Sequence, residues 1–210
     1  MATYPDLNSL AEAARGCVAC GLCKGRTQVV PGDGSDRAEI MFVGEGPGFN
    51  EDKQGRPFVG SAGQLLDELL GSINLRRPQV FVTNVVKCRP PGNRDPLPEE
   101  IEACSPSLDQ QIELLKPKLI VTLGRHAMGR FLPGESISKV HGMARRVGKQ
   151  VVMPMYHPAA ALYQQSLKKT LELDFQKMPE LLIKAMKPEP SAATSPVEKP
   201  ADKPAQLSMF

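Results

Sequence analysis

The sequence contains no tryptophan and only 3 tyrosines among 210 residues. A broad single-strand nucleic-acid binder stacks successive bases on aromatic side chains, and this chain has too few for that. No apolar run approaches the roughly 18 residues of a membrane helix, so no membrane association is expected. Met1 to Arg15 carries Asp6 and Glu12 and no continuous apolar stretch, so no secretory leader is expected there. The charge is not strongly one-sided. A formal net charge of +3 is mildly basic, compatible with a nucleic-acid partner without requiring one. The 5 cysteines are an odd number. Without a leader they read as reduced thiols of a cytoplasmic protein, where clustered cysteines point to a metal site more than to disulfides.

What is present is ordinary for a globular chain, 41% hydrophobic and 23% charged. The length predicts one domain, residues 1–186, followed by a tail, residues 187–210. A domain of this size buries about 70% of its unfolded surface and needs no staples. The tail holds Pro188, Pro190, Pro196, Pro200 and Pro204 among Ala, Ser and Lys. Nothing in it can form a core, so it reads as a disordered, partly stiff linker. Apolar residues return only in Gln206-Leu207-Ser208-Met209-Phe210.

Within the domain, strand-like and helix-like segments alternate. Short apolar strands are predicted over Glu39 to Val43, Gln79 to Thr83, Lys118 to Leu123 and Val151 to Met155. Between them, Ser9-Leu10-Ala11-Glu12 and Ser61-Ala62-Gly63-Gln64 read as capping boxes opening helices. Pro98 begins a long helix with Glu99 and Glu100 in its first turn, Arg125 to Phe131 a short one, and Leu167 to Met186 a final amphipathic one. Strands separated by helices imply an α/β fold, a mostly parallel sheet with helices on both faces. Ligands bind such sheets beyond the carboxyl ends of the strands. That rim holds Gly44-Glu45-Gly46-Pro47-Gly48, Asn84, Gly124 and His157-Pro158.

Each rim residue has a chemical reading beside a plain one. The glycines of 44–48 allow close approach of backbone to a ligand, and Glu45, Glu51 and Asp52 can orient water or stabilise a cation; otherwise this is a loop with solvated acids. Phe58, in Arg56-Pro57-Phe58-Val59-Gly60, is a stacking platform or a loop anchor in the core. The Asn84 amide offers a donor and an acceptor that suit a base edge, or it bonds turn backbone. His157, held on a bent loop by Pro158, can donate to a developing oxyanion, or it bonds backbone. The cysteines are more specific. Cys17-x2-Cys20 forms a metal knuckle, and Cys88 and Cys104 supply a second pair. Four thiolates suit zinc or a 4Fe–4S cluster, and spacing does not choose between them.

Several motifs together, in order, resemble the family 4 uracil-DNA glycosylases. They are Cys17-Val18-Ala19-Cys20-Gly21-Leu22 with Gly25-Arg26-Thr27, Gly44 to Gly48 with Glu51-Asp52, and Gly55-Arg56-Pro57-Phe58-Val59-Gly60. Thr83-Asn84-Val85-Val86-Lys87-Cys88-Arg89-Pro90-Pro91 and His157-Pro158 complete the set. The likeness covers about residues 10–185. It implies a three-layer α/β/α sandwich on a four-stranded parallel sheet, and a 4Fe–4S cluster on Cys17, Cys20, Cys88 and Cys104, with Cys23 outside the ligand set. It implies a monomeric enzyme of base excision repair that flips uracil out of DNA and hydrolyses its N-glycosidic bond. Phe58 would stack on the uracil, Asn84 read its O4 and N3 edge, and His157 stabilise charge on O2. Residues His157 to Leu162 would form the wedge. Glu45 and Glu51 would stabilise the sugar cation or position water, because Gly46 stands where better-known glycosylases carry a water-activating Asp. A related group attacks the abasic sugar through a His in the stretch corresponding to Arg89 to Ala103, which here has none, so turnover is expected. His141 stands where the family usually has Arg. The terminal peptide resembles the motif by which bacterial repair proteins dock on the sliding clamp, with Gln206, Leu207, Met209 and Phe210 as contacts. The competing class is a non-catalytic iron–sulfur DNA-binding module, which would keep the cysteines and lose the rim. A zinc-binding nucleotide hydrolase is a weaker reading, since the chain has no Walker loop and no His-rich metal site.

Overall fold

The computed structural model describes residues 3–186; the expected tail and its terminal peptide lie outside the described residues. In chain order the elements are α1 (Leu7–Arg15), β1 (Asp33–Gly34), β2 (Ile40–Gly44), α2 (Phe49–Gln54), α3 (Ser61–Ser72), β3 (Phe81–Asn84) and α4 (Pro98–Leu115). There follow β4 (Leu119–Leu123), α5 (Arg125–Phe131), α6 (Ile137–Val140), β5 (Arg145–Val147), β6 (Gln150–Met155), α7 (Pro158–Tyr163) and α8 (Gln165–Met186).

The apolar runs become strands buried on both faces. Every residue of β2 and of β4 is buried, which fits central strands of a parallel sheet better than alternating ones. The sheet is wider than the four parallel strands that the family resemblance implies. It has six strands in the order β1-β3-β2-β4-β6-β5. The inner four are parallel, and β1 and β5 add antiparallel edges to β3 and β6. These edges are two and three residues long, too short to carry a hydrophobic period. The β5–β6 hairpin turns at Gly148, whose φ of +57° suits glycine. Short outer strands cover part of a parallel edge that would otherwise present unpaired backbone groups.

Both predicted capping boxes are replaced by other caps. Helix α1 begins three residues earlier, and the Asp6 carboxylate accepts from the Ser9 amide at 2.7 Å; Glu12 instead pairs with Arg15. Helix α3 is capped by Gly60 with no side-chain bond. The donors of that loop go elsewhere, to a carboxylate of the site.

Helices cover the two faces of the sheet. On one, Leu65, Leu66, Leu69 and Leu70 of α3 pack with Leu171, Phe175 and Met178 of α8 over Phe42, Val82, Val121 and Met153. On the other, Leu108 and Leu115 of α4 and Ala127 of α5 pack over Met41, Val43, Phe81 and Ile120. Three layers result. The in-register pairs Gly44–Asn84 and Leu123–Met155 bring the strand ends to one level.

Phe42 and Phe175 are both fully buried, with ring centroids 5.9 Å apart and planes 11° from parallel. Phe175→Ala should lower unfolding free energy by about 3–5 kcal/mol. Leu173→Ala, on the exposed side of the same helix, should change it by about 0.5 kcal/mol or less. Denaturant titration of both variants checks the contrast.

Candidate active site

The rim centres on an absent side chain. A Cβ on Gly44 would lie 2.4 Å from Asn84 Oδ1 and 2.7 Å from two atoms of the Phe58 ring. Strand β2 thus ends in a gap into which Asn84, from the neighbouring strand, and Phe58, from the α2–α3 loop, both reach. Phe58 stacks on His157 with centroids 5.5 Å apart and planes 24° from parallel. Gly124, at φ +92°, closes the other side, where a Cβ would meet His157 Cβ at 3.1 Å. Asn84 and Phe58 therefore meet at Gly44, and His157 adjoins them through its stack on Phe58 and its contact with Gly124.

Phe58 is buried in the core under α3, as a loop anchor would be, and its ring lies against His157. Asn84 is buried too. Its carbonyl accepts from Lys87 Nζ at 2.6 Å, but among the described residues its side-chain amide makes no hydrogen bond. The plain reading, an amide spent on turn backbone, does not hold.

His157 ends the short connection after β6, and a helix follows at once: it is the N-cap of α7, with Pro158 in the first helical position, where a missing N–H costs nothing. Its Nδ1 accepts from the Ala159 amide at 3.1 Å. A backbone amide can only donate, so Nδ1 is unprotonated and the ring proton sits on Nε2. Burial pushes the imidazole down to about 4, with Glu51 pulling the other way, so the ring is neutral at pH 7. The wedge loop expected over His157 to Leu162 is instead the N-cap and most of helix α7, which ends in Leu162 and the almost fully exposed Tyr163.

The three carboxylates separate. Asp52 is buried, and its Oδ1 accepts from the Thr27 amide at 2.9 Å, which makes it a loop fastener. Glu51 Oε1 accepts from the Val59 and Gly60 amides at 2.9 and 3.0 Å, which uses the donors at the start of α3. Glu45 makes no such bond. It is half-buried, and burial raises its carboxyl above the ordinary value; Asp95 adds to the rise while His126 and Arg125 oppose it. His126 Nε2 lies 3.8 Å from Glu45 and 3.1 Å from Asp95, and Arg125 Nη2 lies 2.6 Å from Asp95. Sequence reading missed these three partners. His126 follows Gly124 at the end of β4, so the rim rule reaches it; Asp95 lies in a loop that no pattern assigns to the rim. Gly46 lies against Val86, where a Cβ would come within 2.8 Å.

The cysteines form a separate centre. Cys17, Cys20, Cys23, Cys88 and Cys104 line a cavity of about 250 Å³ together with Arg26, Val86 and Lys87. Burial pushes the Cys88 and Cys104 thiols up; each also feels the other cysteines, Cys88 those at 104 and 20, and Cys104 those at 17 and 20. Arg26 donates to Cys88 Sγ at 3.3 Å and to the Cys17 carbonyl at 2.7 Å. Beside the cavity, Lys87 is buried with Nζ on Thr83 Oγ1, Asn84 O and Gln111 Oε1 at 2.6–2.8 Å. The ammonium is pushed down to about 8, by burial. Among the described residues the ligand atoms that gather within 4.8 Å are those of Glu45, Asp95 and His126; no three cysteine sulfurs do. Four thiolates at about 2.3 Å from one zinc would stand about 3.8 Å apart, so the wider spread suits a larger group.

Comparison with known proteins bears on this arrangement. The model of the uracil DNA glycosylase superfamily matches residues 31–179. A type-4 uracil-DNA glycosylase of Sulfurisphaera tokodaii is 54% identical over 188 residues, covering 85% of this chain and 86% of that protein. Those of Archaeoglobus fulgidus and Thermotoga maritima are 48% and 46% identical, covering 84% and 83% of this chain and 93% and 94% of theirs. A type-5 uracil-DNA glycosylase of Thermus thermophilus is more distant, 36% identical over 118 residues, covering 49% of this chain and 53% of its own. With the rim residues gathered at the strand ends and the matched region spanning the whole sheet, this chain belongs to the uracil DNA glycosylase superfamily.

Proposed function

We propose that the protein excises uracil from DNA by hydrolysis of the N-glycosidic bond. The observation that carries this reading is the cluster at the strand ends of an amide with no hydrogen bond among the described residues, an aromatic ring and, stacked on that ring, a neutral imidazole whose proton is on Nε2. A non-catalytic DNA-binding module would have no use for that combination.

Uracil is unreachable inside a duplex, so it must be flipped out, at a few kcal/mol. In the pocket, Phe58 offers its ring for stacking. The Asn84 amide donates to O4 and accepts from N3–H. Cytosine presents a donor in place of O4 and a bare N3, so both bonds would be mismatched, and a buried unpaired amide makes that costly. As the C1′–N1 bond breaks, its electron pair passes to the base and charge builds on O2. His157 Nε2–H donates there without giving up its proton. A preorganised donor of this kind is worth roughly 3–4 kcal/mol. Glu45, with its raised carboxyl, is assigned to the incoming water, and its carboxylate form accepts the proton as water adds to C1′. Glu51 holds the Phe58 loop and sets a negative charge near the cationic sugar.

The cysteine cavity fits a 4Fe–4S cluster on Cys17, Cys20, Cys88 and Cys104, with Arg26 offsetting thiolate charge. Such a cluster would supply cross-links between the N-terminal segment, the chain after β3 and helix α4, and no step of base release. Cys23 lines the cavity without being needed as a ligand. The tail, by its resemblance to clamp-docking peptides, would tether the enzyme to DNA encircled by a sliding clamp.

Four sets of outcomes are expected. His157→Ala should slow uracil release by about 10²–10³-fold with a smaller effect on DNA affinity, and Asn84→Ala should lose both rate and discrimination against cytosine. The His157 ring should stay neutral in an NMR titration until the pH falls towards about 4. Because the native ring binds its proton less readily than the unfolded one, its contribution to stability is present above about 6.5 and is lost as the pH falls towards 4. Wild-type uracil release by both variants would reject the assignment. Protein isolated without oxygen should be brown and contain iron and sulfide; Cys88→Ser should lose both and Cys23→Ser neither, whereas colourless protein with stoichiometric zinc would reject the cluster. A peptide of residues 203–210 should bind a bacterial clamp, and changing Leu207 and Phe210 to Ala should abolish binding, while excision on short naked DNA is unaffected.

A further inference from the structure

Phe58 has φ +53°, the left-handed region that a bulky side chain rarely occupies and that strains its backbone. That strained backbone is what turns the ring over Gly44 and against His157. Something must hold it, and the structure presents two grips. Glu51 takes the amides that follow, Val59 and Gly60. The carbonyls that precede them are taken by Arg77. Its Nη2 donates to Phe58 O at 2.5 Å and its Nη1 to Pro57 O at 3.2 Å, while Nε is fixed on Asp67 of α3 at 2.6 Å. The Phe58 carbonyl is further seated against α3 at Gly63, where a Cβ would come within 1.7 Å of it.

We infer that Arg77 is a positioning residue for uracil excision, acting through the Phe58 backbone to hold the stacking ring in place. The inference rests on the glycosylase reading above. Arg77 lies in the turn Arg77–Gln79 before β3, away from the strand ends that carry the rim, and no motif points to it. Its planar fork spans two successive carbonyls while the third edge grips Asp67, which a lysine cannot reproduce. Without the fork, two carbonyls lose their donors and the residue between the two grips is free to leave the left-handed region. The ring then no longer stands ready for the flipped base, and part of the binding energy of the substrate goes into restoring it.

The test uses full-length protein and a uracil-containing duplex under single-turnover conditions. Arg77→Met should slow release about tenfold, and Arg77→Lys about as much, while affinity for a duplex carrying an abasic-site analogue, which offers no base to stack, stays within about twofold. In a Phe58→Ala background, Arg77→Met should slow release no further. Arg77→Lys, which can still pair with Asp67, carries the same readouts should the Met variant not fold. Unchanged release in a folded variant, equal losses on both duplexes, or a full additional loss in the Phe58→Ala background would overturn the inference. Release of uracil by the unaltered protein, run alongside, separates this outcome from failure of the glycosylase reading.

Discussion

The site depends on a steric vacancy at the end of the central strand. Gly44 sits level with Asn84 in the sheet, and any side chain there would occupy the place of the Asn84 amide and the Phe58 ring. The vacancy exists because a parallel sheet aligns its strand ends, and because the strand before it is apolar enough to stay buried on both faces. Around that gap the structure spends its polar groups deliberately: an amide left unbonded, an imidazole fixed in one tautomer, a carboxylate raised by burial. Each would be satisfied by water on a surface. Together, at the carboxyl end of the sheet, they are the groups proposed to receive a planar base.

Much of this was legible in the sequence. Continuous apolar runs marked the four inner strands, because a strand buried on both faces has no polar alternation to hide it. The rim rule then placed Gly44, Asn84, Gly124 and His157 without any knowledge of contacts. What was not legible follows from length and from side-chain choice. Strands β1 and β5 are too short for a period. The Ser-x-x-Glu pattern at Ser9 was a plausible cap, but Asp6 reached the Ser9 amide first and the helix began upstream. At α3 the expected capping serine was superseded by Glu51, a residue ten positions earlier, and sequence spacing cannot register a bond across a loop. Asp95 and His126 are about 30 residues apart and on different elements, so their meeting beside Glu45 is a property of the fold alone.

The cysteine cavity and the base pocket share one stretch of chain. Thr83 and Asn84 end β3, Val86 touches Gly46, Lys87 bonds the Asn84 carbonyl, and Cys88 belongs to the cavity wall. The distance between the two centres is a few residues of backbone, and the buried ammonium joins them. Lys87, on the wall of the cysteine cavity, therefore also fixes the carbonyl of the residue assigned to base reading.

Gly63 gives the fold a different kind of boundary. It lies inside α3, among leucines, and by position it would pass for a packing residue. Yet the space where its side chain would stand is taken by the carbonyl of Phe58. A methyl group added there would press on the ring-bearing loop from behind. In a deep mutational survey scored by repair rather than by abundance, the functional footprint would thus extend behind the Phe58 loop to the inner face of a helix, and Gly63 would rank with the residues at the rim.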